Sequence, residues 1–165
     1  MRDNVVLIGM MGCGKTTVGG LLARKLGFTF VDTDQYIEEN LGRSIPDVFA
    51  AEGEDYFRAR ELDAARDLAG RKGQVISCGG GLPTRAEAIA ALKGSGTVIF
   101  LRRDPGEIYD NVSMGGRPLG QQGRGAFLER YAAREPVYQS WADHVVDVQP
   151  TPVETAKRIL EVLSK

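Results

Sequence analysis

The sequence predicts a three-layer α/β fold built on a five-stranded parallel sheet. Three observations carry this. Five short β-rich runs, at 5–8, 28–31, 74–78, 97–101 and 144–148, are each followed by a helix-like stretch. The runs are apolar almost throughout, the pattern of strands buried on both faces. Helix starts between them are marked by capping chemistry as well as by period. Strand–helix repetition of this kind implies right-handed crossovers, and no repeat, charge block or linker divides residues 1–165, which reads as a single domain.

Each helix has its own signal. After Lys15, the residues Val18, Leu21, Leu22 and Leu26 form an apolar stripe at helical spacing. Ser44–Ile45–Pro46–Asp47 predicts a short helix running through Phe49. Phe57, Glu61, Ala64, Ala65 and Leu68 share one face of a longer helix that Gly70 and Gly73 end. Thr84 with Glu87, Asp104 with Glu107 and Thr151 with Glu154 each set a capping oxygen three residues before a carboxylate. Pro105 and Pro152 stand at the first helical position of two of these. Tyr131, Tyr138 and Trp141 at helical spacing read as core or pocket wall, and His144, the sole histidine, as structural. The stretch 112–125 breaks the pattern, with glycines at 115, 116, 120, 123 and 125 around Arg117–Pro118–Leu119. It is too polar and too long for an ordinary connection and reads as a flexible lid.

Composition narrows the function classes. The 165 residues are 42% hydrophobic and 26% charged, enough apolar material for a packed core. Lys+Arg 21 against Asp+Glu 22 leaves a net charge of −1, which argues against nucleic acid as a general partner. The longest near-apolar run, 5–11, is far too short to span a bilayer and nothing before it reads as a signal peptide, so no membrane role is expected. Cys13 and Cys78 are too few for a disulfide framework and predict free thiols in a reducing cytoplasm. Glycine, 21 of 165, is about twice its usual share of roughly 7%. An excess without a repeat period points to loops that approach a ligand closely.

The strongest motif follows the first strand. Gly9–Met10–Met11–Gly12–Cys13–Gly14–Lys15–Thr16 matches the phosphate-binding P-loop pattern G-x-x-x-x-G-K-[ST]. Glycines let successive backbone N–H groups turn inward, and the following helix adds its N-terminal dipole. Lys15 reaches the β- and γ-phosphates, and the Thr16 hydroxyl is a ligand for Mg²⁺. Gly12, Cys13, Gly14, Lys15, Thr16 and Thr17 are therefore the candidate nucleotide-binding residues. A guanine-reading N-K-x-D is absent. The third strand ends in Ser77–Cys78–Gly79–Gly80–Gly81 rather than the Asp-Glu of motor or transport ATPases. A compact kinase of small molecules remains, with its acceptor at the C-terminal ends of the strands.

Those ends carry candidate groups. The second strand runs into Asp32–Thr33–Asp34, and two carboxylates at i and i+2 on an extended segment point the same way, here toward the P-loop. One could hold Mg²⁺ through water and the other accept a proton from an attacking hydroxyl. The alternative for either is to cap the helix that follows. The glycines at 79–81 offer N–H groups to a ligand, or form a plain strand-to-helix turn.

The whole set resembles the shikimate kinase family. The shared features run from the P-loop through Phe30–Val31–Asp32–Thr33–Asp34, Gly42–Arg43–Ser44–Ile45, Phe49 and Gly53–Glu54. They continue through Phe57–Arg58, Glu61, Gly79–Gly80–Gly81 and Arg117–Pro118–Leu119 to Arg134 with Tyr138. The resemblance implies a nucleoside monophosphate kinase-like P-loop fold and transfer of phosphate from ATP, with Mg²⁺, to the 3-hydroxyl of shikimate on the route to chorismate and the aromatic amino acids. It implies that Arg58 and Arg134 clamp the shikimate carboxylate and that Asp34 binds the hydroxyls and serves as base. Gly79, Gly80 and Gly81 would line that pocket. Lys15 and the lid residue Arg117 would neutralise the transferring phosphoryl group, with Mg²⁺ held by Thr16 and, through water, Asp32. A cytoplasmic monomer with ATP and shikimate as its small-molecule partners is the corresponding expectation. The chain departs from the family at Gly120, where another leucine is common, and at Asp110 and Asn111, where many members carry an arginine. Gln149–Pro150–Thr151–Pro152 stands where the family packs adenine, without the arginine some members place there. Two rival readings are a kinase of another polyol acid such as gluconate, and a catalytically silent nucleotide-binding module.

Overall fold

A computed structural model describes residues 3–10, 12–114 and 123–164. In chain order the elements are β1 (Asn4–Ile8), α1 (Lys15–Leu26), β2 (Thr29–Asp32), α2 (Thr33–Leu41), α3 (Ile45–Glu52) and α4 (Glu54–Ala69). There follow β3 (Gln74–Ser77), a 3-10 turn (Leu82–Thr84), α5 (Ala86–Ser95), β4 (Gly96–Arg102), α6 (Pro105–Met114), α7 (Gly123–Trp141), β5 (His144–Asp147) and α8 (Pro152–Leu163). The five strands form one sheet in the order β2-β3-β1-β4-β5, every neighbouring pair parallel.

Strand order fixes where a ligand can sit. The chain leaves β1 toward β2 on one side and later returns past β1 to reach β4 on the other. With right-handed crossovers, α1 and α5 then lie on opposite faces. α1 and α8 pack together on one face, while α5 and α7 cover the other and α4 packs on α5. The crevice left where the connections diverge, at the C-terminal end of β1, is the binding position of such sheets.

β1 and β3 are buried along their whole length, as central strands covered on both faces, the polar ends Gln74 and Ser77 of β3 included. The polar residue of β1, Asn4, is only 1% exposed, and its amide is fully engaged. It donates to Arg71 O (2.9 Å) and Ser95 Oγ (3.2 Å) and accepts from Gln74 N (3.0 Å). Burial on both faces does not extend to β2 and β5, where Thr29, Val145 and Asp147 are exposed. These are the sheet edges, where one side lacks a neighbour. Gly19 brings α1 down onto the sheet: a Cβ there would lie 2.5 Å from Phe30 Cε1 and 3.3 Å from Leu7 Cδ1. A smaller core of Ile37, Val48, Phe57 and Ala64 binds α2, α3 and α4 to one another.

The capping signals hold at three of four places. Ser44, Asp104 and Thr151 accept from the N–H groups of Asp47, Glu107 and Glu154 at 3.3, 3.1 and 3.2 Å. Thr84 does not cap. The chain after the glycines first makes a 3-10 turn, Thr84 Oγ1 donates to Gly81 O, and α5 begins after Arg85 without a side-chain cap. The short helix after Ser44 runs on to Glu52, three residues beyond Phe49. Segment 112–125 is helical at both ends, in α6 up to Met114 and in α7 from Gly123. Residues 115–122, and with them Arg117, lie outside the described residues. Among the described residues, no helix is long and apolar enough to cross a membrane.

Gly96 faces Asn4 across β4 and β1, and a Cβ there would run into the Asn4 carbonyl. Backbone cannot rotate away as a side chain can. Gly96→Ala is therefore expected to cost about 1–3 kcal/mol, read as a lower urea midpoint.

Candidate active site

The P-loop joins β1 to α1. It turns through Gly9, Gly12 and Gly14 at φ 150, 88 and 98, values that side chains resist. Gly14 is the N-cap of α1 and supplies no side-chain cap, so the first-turn N–H groups of α1 stay available to an anion. Lys15 is buried and curls over the loop, its Nζ donating to Gly9 O (2.7 Å) and Met10 O (3.0 Å).

β2 delivers the two aspartates, though not as an extended pair. Asp32 ends the strand and caps α2, its Oδ1 accepting from Gln35 N at 3.0 Å, while Asp34 lies in the first helical turn. The capping alternative is thus real for Asp32. Both carboxylates still face the P-loop, because an N-cap and a first-turn residue share the N-terminal end of their helix. A cavity of about 390 Å³ is lined by Lys15, Thr16, Asp32, Asp34, Ser77, Gly79 and Gly80. Thr16 and Asp32 therefore offer hard oxygen donors to one space, a set that suits Mg²⁺. Burial, reinforced by repulsion from Asp32, pushes the Asp34 carboxyl up from 3.8 to about 6, against the pull of Lys15.

The three glycines after β3 are not a plain turn. Gly79 N donates to Thr33 Oγ1 (2.9 Å), which ties the turn to the end of β2. A Cβ on Gly79 would lie 2.6 Å from Asp34 Oδ1, and one on Gly81 2.6 Å from Arg58 Nη1. Between them, Gly80 O accepts from the Tyr138 hydroxyl (2.6 Å). Asp34, Arg58 and Tyr138 come from α2, α4 and α7 and meet on one stretch of bare backbone.

Arg58 is fixed from behind. Its Nη1 donates to Glu61 Oε1 at 2.5 Å, and Glu61 is 1% exposed. Burial pushes the Glu61 carboxyl up while Arg58 draws it back. Burial pulls the Arg58 guanidinium down, but Glu61 and Glu54 outweigh it and raise it overall. Arg134 stands one helical turn before Tyr138 on α7, and its positive charge draws the Tyr138 hydroxyl down against the rise that burial imposes. α7 stays helical through Pro136, so Arg134 faces the site from a continuous helix. Burial also pushes up both the Tyr138 hydroxyl, to about 12, and the Cys78 thiol. Cys13 and Cys78 are free and buried.

A second cavity of about 620 Å³ opens on the other side of the P-loop. Its walls are Cys13, Gly14, Thr17, Arg103, Asp147, Gln149 and Pro150, among others. Gly14 and Thr17 line both cavities, so the loop forms the wall between them. The sequence marks neither Glu61 nor Thr33 as a site residue, and it marks Tyr138 only as core or pocket wall. Glu61 had a signal, a carboxylate within an apolar stripe three residues after an arginine.

The family model described as Shikimate kinase matches residues 11–164. A curated shikimate kinase of Symbiobacterium thermophilum is 46% identical over 147 residues, 86% of this chain and 84% of that protein. The solved shikimate kinase from Acinetobacter baumannii, in complex with shikimate, superposes with a TM-score of 0.90 at 34% identity, covering 99% of this chain and 93% of the other. A gluconokinase from Sinorhizobium meliloti, at 18% identity and a TM-score of 0.59 over 99% of this chain and 96% of its own, shares the fold alone. By family model, relatives and fold, this chain belongs to the shikimate kinases, ATP-dependent phosphotransferases of the shikimate pathway.

Proposed function

We propose that the chain transfers the γ-phosphoryl group of Mg²⁺-ATP to the 3-hydroxyl of shikimate, as a cytoplasmic single-domain monomer. The observation that carries this reading is the juxtaposition of Asp34 and Arg58 on the glycine turn, with Asp34 sharing the cavity of Lys15 and Thr16. A hydroxylated acid meets a guanidinium at one end and a carboxylate at the other.

Each step then has a residue. Arg58, pinned by Glu61, and Arg134, one helical turn before Tyr138, receive the carboxylate of the acceptor. Asp34 orients the hydroxyl and takes its proton as the oxygen forms its bond to phosphorus and the bond to the ADP oxygen breaks. A carboxylate with a pKa of about 6 is ionised at neutral pH, yet more basic than an ordinary one. Lys15 and the first-turn N–H groups of α1 hold the phosphates, joined by Gly12, Cys13, Gly14 and Thr17. Arg117, from a lid over about 112–125, adds charge in this reading. Mg²⁺ would be held by Thr16 and, through water, Asp32, and would supply charge neutralisation on the nucleotide.

ADP release with Mg²⁺-ATP and a panel of shikimate, quinate, gluconate and nucleoside monophosphates tests the assignment. Turnover with shikimate alone is expected. Turnover with gluconate instead overturns the substrate, and silence with every acceptor favours a regulatory module. Asp34→Asn is expected to lower kcat by about two to four orders of magnitude. Arg58→Ala is expected to raise the shikimate KM about ten- to a hundredfold, with the ATP KM within about twofold.

The pH dependence follows from the raised carboxyl. Below about pH 6 Asp34 is protonated and cannot take a proton, so kcat/KM for shikimate should fall on an acid limb centred near that value. The folded-state pKa exceeds the unfolded one, so the ionised carboxylate destabilises the fold above about pH 6, and this penalty vanishes as pH drops below 3.8. Asp34→Asn should accordingly raise Tm at pH 7 and leave it unchanged near pH 3.5, as followed by thermal melts.

A further inference from the structure

Arg103 lies just beyond β4 and reaches back across 91 residues of sequence to donate from Nη1 to Gly12 O at 3.1 Å. Its other donors are held by Glu107 on α6, with Nη2 and Nε at 3.1 and 3.4 Å from Oε1. The side chain is 22% exposed, while that of Glu107 is 58% exposed, so the carboxylate holds the guanidinium from the solvent side. On the other edge of the same peptide, Cys13 N donates to Met10 O at 3.2 Å. The Gly12–Cys13 peptide is thus bonded at both its oxygen and its nitrogen. Gly12 sits at φ 88, where a glycine peptide rotates at little cost.

We propose that Arg103 is a positioning residue for the phosphoryl donor, holding the Gly12 carbonyl away from the phosphates so that the P-loop presents only N–H groups to them. A flipped Gly12–Cys13 peptide would aim a carbonyl oxygen at the anion, replacing attraction with repulsion. A charged donor is the strongest group available to prevent this. Arg103 also lines the nucleotide-side cavity together with Cys13, Gly14 and Thr17, so its effect is confined to one substrate. The acceptor groups Asp34 and Arg58 stand on the other side of the loop.

The inference rests on the nucleotide lying against the P-loop, and the two can fail separately: wild-type turnover tests that reading, and only the variants test Arg103. Arg103→Met keeps the bulk and removes the donors. It is expected to raise the ATP KM and the ADP Kd, the latter by calorimetry without shikimate, about tenfold, with the shikimate KM within about twofold. Arg103→Lys should recover most of the loss, since an ammonium can still donate to Gly12 O. Glu107→Gln, at an exposed position that folding tolerates, should shift the ATP KM the same way by about threefold. Equal changes in both KM values, or an unchanged ADP Kd in a folded Arg103→Met, would overturn the proposal. Should Arg103→Met fail to fold, an unchanged ADP Kd in Glu107→Gln would overturn it as well.

Discussion

Asp34 and Arg58 can stand where they do because residues 79 and 81 have no side chains. A single methyl group at either position would occupy the space of a carboxylate oxygen or a guanidinium nitrogen. The turn is bare at its α-carbons but bonded along its backbone, Gly79 N to Thr33 and Gly80 O to Tyr138. Three helices far apart in sequence can therefore address one short stretch of main chain. The position of α4 is set in turn by the small core of Ile37, Val48, Phe57 and Ala64, so the acceptor site depends on packing well away from the sheet.

The charges of the site are arranged so that one does not undo another. Two unit charges 4 Å apart interact by about 4 kcal/mol at an effective dielectric constant of 20, enough for a free guanidinium beside Asp34 to keep its carboxyl low. Arg58 is not free, because Glu61 takes its Nη1 and Glu54 stands at 3.5 Å from its Nη2. Burial and the neighbouring Asp32 lead the effects on Asp34, and Arg58 contributes least among those acting on it. Glu61 thus serves two ends in the proposed reading: it orients the guanidinium that would meet the acceptor's acid, and it leaves Asp34 basic enough to take a proton.

Much of this was legible in the sequence, and the failures share a cause. Strand positions emerged from apolar runs, and the P-loop from a motif whose residues are contiguous. The caps at Ser44, Asp104 and Thr151 could be read because a cap and its partner are three residues apart. Thr84 has the same spacing, but Pro83 and the tight approach of the glycine turn favour a 3-10 turn there, and its hydroxyl donates where a cap would accept. Asp32 and Asp34 line one cavity, but not as the extended pair that the sequence predicts, since α2 begins one residue after the strand ends. Arg58 and Arg134 were marked by resemblance, not by any local pattern. Arg103 carried no signal at all, because its partner on the P-loop is 91 residues away and only the β1–β4 pairing brings them together.

The seam between the two cavities has a charge problem that decides what else the reaction needs. The N-terminus of α1 carries roughly +0.5 of an elementary charge from its aligned peptides, and Lys15 adds one more. Arg103 is balanced by Glu107, and Arg58 by Glu61. Against the positive groups stand the carboxylates of Asp32 and Asp34 in the same space. A nucleoside triphosphate entering this seam would find less positive charge than its own phosphates require. The described residues supply direction, through inward N–H groups and a buried lysine, but not neutrality. In the proposed reading, a divalent cation on the oxygen donors of Thr16 and Asp32 would answer that deficit and would use the Asp32 carboxylate oxygen that does not cap α2.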